Sequence, residues 1–128
     1  MPTVWRLIAH HDNRDCAVSL YKEQACIAIG WGLIGDLSRR SDLVQPSDIG
    51  RVIREIKSYR RLRNSHDGGP SLWNLLVEMD VGDLVILGTW GQRVSVLEIK
   101  GEYHYSKRFD RLLEGHYRHL RAARRTTL

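Results

Sequence analysis

The chain has little of what would place it in several familiar protein classes. Its 128 residues include two cysteines, Cys16 and Cys26, and no CxxC pair, so no disulfide framework or thiolate metal site is written into it. Cys26 lies in the apolar run Ala25-Cys26-Ile27-Ala28-Ile29, which predicts a buried, inert thiol. No stretch approaches the ~18–20 consecutive apolar residues of a membrane span. Met1–Arg6 lacks the charged, apolar and cleavage regions of a secretory signal. The expectation is a cytoplasmic protein without a membrane partner. HExxH, P-loop, nucleophile-elbow and paired-carboxylate motifs are all missing, so the sequence predicts no catalytic residue, no metal, no cofactor and no enzyme. His116-x-x-His119 would offer two ligands on a helix face, yet no third ligand stands near it, and solvated or phosphate-contacting histidines are the expectation.

What is present is a single domain's worth of chain, 1–128, with 42% apolar residues to bury one core. The net charge of +5 is concentrated. Arg51, Arg54, Lys57, Arg60, Arg61 and Arg63 face only Glu55, and a second basic segment runs from Lys107 to Arg125. Two such segments on a small domain favour a polyanionic partner, and Arg54, Lys57, Arg60, Arg61, Arg63, Arg118 and Arg121 are the candidate phosphate contacts. Solvated helix and strand faces are the plainer alternative.

Val4–Ala9 reads as a strand, and Asp12 or Asn13 as the cap of a short helix through Lys22. Ala25–Gly30 is a continuous apolar run ended by glycine, a buried strand. Beyond Pro46-Ser47, residues Ile49, Val52, Ile53, Ile56, Tyr59 and Leu62 recur every three or four positions, which predicts one amphipathic helix with a basic outer side. Ser71 reads as the cap of a short helix whose Leu72, Leu75, Leu76 and Met79 face inward. Leu84–Gly88, the turn Thr89–Gln92 and Arg93–Tyr105 form a strand hairpin. Leu112–Arg125 fits strand or helix, with strand preferred. Short elements in this order predict an α+β domain whose strands curl into a small barrel beside the helices.

Gly30-Trp31-Gly32-Leu33-Ile34-Gly35 is formally G-x-G-x-x-G. A dinucleotide turn needs small residues and a following helix, whereas this run holds a tryptophan and leads into polar loop, so it is not read as a nucleotide fingerprint. The chain has four tryptophans against one phenylalanine. Trp5 and Trp73 sit among apolar neighbours and read as core. Trp31, between glycines beyond a strand end, and Trp90, in a turn, are candidates to line a pocket where a base stacks beside a neutralised backbone.

Cys26–Gly32 with Gly35-Asp36-Leu37-Ser38, Ser71-Leu72-Trp73 with Glu78–Ile86, and Val94–Tyr105 ending Gly101-Glu102-Tyr103-His104-Tyr105 together resemble EVE-like domains. These belong to the PUA-like group with YTH and ASCH domains, and the similar blocks run in order from Trp5 to about Tyr105. The resemblance implies a PUA-like curled sheet flanked by helices, and a pocket that holds a flipped, modified base. It also implies a specificity domain of a modification-dependent restriction system, with a fused or partner nuclease or motor domain. By position, Trp31 would stack on the base, and Gly30 and Gly32 would offer backbone groups, with Leu33 beside them. Trp90, Tyr103 or Tyr105 would supply the other wall. DNA is the favoured partner and RNA the alternative; an RNA-modification reader, a nucleobase-directed enzyme and a protein-interaction module remain the competing functions.

Overall fold

A computed structural model describes residues 2–62, 67–91 and 93–126. Five strands form one curled sheet in the order β1-β3-β4-β5-β2, with helices packed on it, an α+β domain. The strands are β1 (Val4–Leu7), β2 (Cys26–Ile29), β3 (Leu84–Gly88), β4 (Val94–Tyr105) and β5 (His119–Arg125). β1 runs parallel to β3, and the other neighbours are antiparallel. The β4–β5 register shifts between Ile99 and Tyr103, and such an irregularity bends a strand and increases its twist. No helix among the described residues is long and apolar enough to cross a membrane.

α1 (Arg14–Gln24) begins close to the expected cap and turns its buried Ala17, Val18 and Tyr21 onto the sheet. Tyr21 is fully buried, and its hydroxyl donates to the Ala9 carbonyl at 2.7 Å, with the Ala28 carbonyl 3.2 Å away. β2 is buried along its whole length, as its unbroken apolar run requires, and the Cys26 thiol within it is pushed up in pKa by that burial.

Three expectations are corrected. The helix expected from Pro46 to Leu62 is two helices, α2 (Pro46–Glu55) and α3 (Lys57–Arg60). Ile56 between them takes an extended conformation (φ −80°, ψ 116°), so the axis restarts and the inward stripe continues in a new direction. Ser71 does not cap a helix, because α4 (Gly68–Trp73) already starts three residues earlier and continues as a π-turn over Asn74–Glu78. Leu112–Arg125 is a strand only in its second half, and a looping segment precedes β5. The core lies between sheet and helices, where Ile27, Leu97 and Ile99 meet Ile49, Ile53 and Leu72, all essentially inaccessible to solvent.

Candidate functional site

Beyond β2 the chain makes an abrupt turn at Trp31, whose backbone is left-handed (φ 68°, ψ 28°). That conformation costs a non-glycine residue ~1–2 kcal/mol, so the surroundings must impose it. Hydrogen bonds on both sides of the turn do so. Gly32 donates its N–H to the His116 carbonyl at 2.9 Å, and its own carbonyl accepts from the Tyr105 hydroxyl at 2.6 Å. The Leu33 N–H donates to the Tyr59 hydroxyl at 3.1 Å. His119, fully buried on β5, lies with Nε2 3.1 Å from the Trp31 carbonyl. A carbonyl only accepts, so Nε2 carries the ring proton and Nδ1 accepts from the Tyr103 hydroxyl at 2.7 Å. Tyr103 in turn accepts the Leu37 N–H at 3.1 Å. The polar relay from Leu37 to Trp31 is therefore complete with a neutral imidazole, and burial lowers the His119 pKa from 6.5 to about 4.

Trp31 lies edge-on to Tyr59, with ring centroids 5.1 Å apart, and forms one wall of a cavity of about 620 Å³. That volume falls within the ~300–1,000 Å³ usual for small-molecule sites. Leu7 and Ile8 at the end of β1 face the cavity from one side, and Leu62 after α3 from another. Gly68 opens α4 directly against the indole: a Cβ there would lie 2.6 Å from Trp31 Nε1 and 2.6 Å from Ile53 Cδ1. Only a residue without a side chain lets the helix start approach Trp31 this closely.

A second pair of rings lines the cavity, Tyr117 from the loop before β5 and His10 from the loop after β1. Tyr117 stacks on His10 at 4.7 Å between centroids, and Tyr117 is pushed up to about 12 in pKa by burial. His10 is held by its neighbours: Nδ1 accepts from the Asp12 and Asn13 N–H groups, and Nε2 donates to the Glu114 carbonyl at 2.8 Å. Among the described residues, the polar lining includes Asp12, Asp67 and Glu114 with Arg6, His10, His11 and Ser71, so acidic residues there outnumber the one arginine.

The residues expected at a base pocket separate on this geometry. Gly30 and Trp31 line the cavity; Gly32, Leu33, Tyr103, Tyr105 and Trp90 do not. Gly32 is sealed against the His116 carbonyl, which a Cβ would approach to 2.3 Å, and its N–H and carbonyl are both used within the fold. It has no backbone group left for a base edge. Tyr103 and Tyr105 act behind the Trp31 turn, through the hydrogen bonds above. Leu33 is surface-exposed, and Trp90 stands on the β3–β4 hairpin under the Arg14 guanidinium, 4.0 Å from the ring centroid.

The candidate phosphate contacts divide in the same way. Lys57, Arg60 and Arg61 are exposed on and beside α3, the helix that gives Tyr59 to the cavity. Arg60 additionally donates from Nε to the Arg54 carbonyl at 2.9 Å. Arg54 is half-buried and lines a smaller cavity of about 320 Å³ with Pro46, Gly50 and Pro70. Arg63 lies outside the described residues. Arg118 is committed within the fold, bidentate to Asp110 at 3.1 and 3.0 Å and donating to Tyr105 at 3.2 Å. Arg121 is corrected outright: it is 3% exposed, and its guanidinium donates to the carbonyls of Gly101, Leu75 and Met79. It ties β5 to the irregular stretch of β4 and to the turn after α4. His119 is likewise neither solvated nor phosphate-contacting.

His10, Tyr59, Asp67 and Tyr117 escaped the sequence reading as pocket residues. Tyr59 carried only a core-helix signal, and the others lie in loops without periodicity.

The architecture and cavity define a small α+β domain with a curled five-stranded sheet and an aromatic-walled cavity beside a basic helix. Within that class the chain belongs to the family described as Domain of unknown function (DUF8426), whose model matches residues 5–124. No curated protein and no solved structure matches the chain.

Proposed function

We propose that this chain is a PUA-like, EVE-type nucleic-acid-binding module that takes a flipped, modified base into the Trp31 cavity. The observation that carries the reading is the cavity itself. An indole locked by its backbone forms one wall, a stacked His10–Tyr117 pair lines another part, and exposed cations stand on the neighbouring α3. The blocks that resemble EVE domains support it, since one is β2 with the Trp31 turn and another is β4 with the tyrosines that brace that turn.

In this reading Lys57, Arg60 and Arg61 hold phosphates in a sequence-independent, salt-sensitive way. The nucleotide leaves its stack at a cost of a few kcal/mol, and the base enters the cavity against Trp31. Apolar contact with an added methyl contributes ~1–3 kcal/mol, roughly tenfold or more in selectivity. The module performs no chemistry of its own and serves as the specificity part of a modification-dependent restriction system, beside a nuclease or motor domain. DNA is the partner proposed.

The test is a titration at about 0.15 M ionic strength against one duplex, unmodified or carrying 5-methylcytosine, 5-hydroxymethylcytosine or N6-methyladenine. Tighter binding of one modified form by at least about tenfold is the expected result. Equal binding of all four, or binding of none, refutes base reading on DNA. A matched modified RNA that outcompetes the DNA would move the function to RNA.

A further inference from the structure

Trp90 is 62% exposed, an unusual degree for the largest apolar side chain, yet it is held in place from two directions. Its backbone N–H donates to Asp15 Oδ1 at 2.9 Å, joining the hairpin tip to the first turn of α1. The Arg14 guanidinium covers one face of the ring. The turn is braced in addition by the Thr89 N–H, which donates to the Arg93 carbonyl at 2.9 Å. With 62% of the residue accessible despite Arg14, the opposite face of the indole is open.

The surroundings indicate what that face would take. Arg14 makes no ion pair among the described residues, and Arg93, three residues further along the hairpin, is exposed. α1 starts at the same corner, and the acidic residue of its first turn, Asp15, has one carboxylate oxygen engaged by the Trp90 N–H. Asp12, on the cavity lining, precedes Arg14 by two residues, so their Cα atoms lie within about 7 Å. An open indole face backed by the Arg14 guanidinium, near the cavity residue Asp12, fits a base and its phosphate better than an apolar protein surface.

We infer that Trp90, backed by Arg14, is a second stacking platform that takes an unpaired base flanking the nucleotide in the cavity. The inference rests on the base-reading proposal above, but it concerns a different contact. Because stacking tolerates any base, its probe need carry no modification: a labelled single strand of nine nucleotides and mixed sequence, titrated by anisotropy against the full chain.

Trp90→Ala is expected to weaken this strand roughly five- to hundredfold, and Trp90→Phe to retain most of the affinity. With the residue 62% exposed, both variants are expected to fold, which circular dichroism checks. In the same series, the affinity for the nucleoside 5-methyldeoxycytidine should fall for Trp31→Ala and stay unchanged for Trp90→Ala. Unaltered strand binding by Trp90→Ala overturns the platform while leaving the cavity reading in place. Wild-type chain that binds the modified duplex but no single strand overturns it as well. Failure of the wild-type chain to bind any of the nucleic acids removes both proposals.

Discussion

His119 gives the sharpest test of how the Trp31 turn is held. Its imidazole is inaccessible to solvent, donates to the Trp31 carbonyl and accepts from Tyr103, an arrangement that needs the neutral ring. Burial, the largest cause, lowers its pKa from 6.5 to about 4, outweighing the opposing pull of the Trp31 carbonyl and Asp36. The unfolded chain therefore takes up a proton near pH 6.5 that the folded chain refuses until about pH 4. Stability from this group is fully present above pH 6.5 and is lost progressively as pH falls through the folded pKa. At about 1.36 kcal/mol per pH unit, the loss reaches about 3 kcal/mol.

The variant that isolates the effect is His119→Gln, whose amide can donate to Trp31 and accept from Tyr103 but does not titrate. Urea unfolding of both proteins at pH 7.5, 6.5, 5.5 and 4.5 should show the wild type losing about 2.5 kcal/mol more than the variant across the series. Carboxylates titrate equally in both and cancel in the comparison. A histidine resonance titrating near pH 4, absent from the variant, would assign the group directly. Parallel stability curves for the two proteins would refute the buried, neutral His119 and with it the relay that fixes Trp31.

Four further outcomes are expected. Trp31→Ala should lower affinity for the preferred duplex by ~1–3 kcal/mol and cost about 2 kcal/mol of stability from lost packing on Tyr59, read by titration and by urea unfolding. Gly68→Ala forces a Cβ to 2.6 Å from Trp31 Nε1 and Ile53 Cδ1. It should destabilise by ~1–3 kcal/mol and weaken base binding without touching any cation; unchanged affinity would mean the indole does not form the binding wall. Reversing charge at Arg60 and Arg61 together should weaken modified and unmodified duplexes alike and reduce the log–log salt slope by roughly 2, so an effect confined to the modified duplex would overturn their phosphate role. Arg121→Gln deprives the Gly101, Leu75 and Met79 carbonyls of their donor and should cost about 3 kcal/mol of stability. Nucleic-acid affinity per folded molecule should be unchanged, as a buried structural arginine requires.

The strands β2, β3 and β4 were legible because each is an apolar run or alternation bounded by glycine or a turn. Trp31 was legible as a cavity residue because two glycines isolate it beyond a strand end. The rest of the site was hidden for physical reasons. β5 is buried along most of its length but carries a histidine and an arginine in its interior, so neither periodicity nor polarity marks it as a core strand. Such polar residues are tolerated because His119 Nε2 and Arg121 Nε and Nη1 donate to carbonyls, and His119 Nδ1 accepts from a hydroxyl, all supplied by distant chain, which no local pattern records. The same locality explains the error at Ile56, where the apolar spacing continues smoothly across a backbone break. It also explains Trp90, whose turn position signals exposure but not which side of the molecule the hairpin tip meets.

The distribution of charge sharpens the proposed division of labour between cavity and surface. Arginines taken from the sequence as one cationic population fall into two kinds: Arg118 and Arg121 are consumed by the fold, whereas Lys57, Arg60 and Arg61 remain exposed. Among the described residues the cavity lining is acceptor-rich, with Asp12, Asp67 and Glu114 against Arg6. A phosphate entering it would meet like charge, while a neutral base would not. Under the proposed function, this arrangement would direct backbone to α3 and bases to the Trp31 turn. This separation makes the two sets of variants independent: charge reversal on α3 acts on every duplex, and changes around Trp31 act on the base. Coupling between them, seen as strong non-additivity in an Arg60/Trp31 double variant, would show instead that one surface serves both purposes.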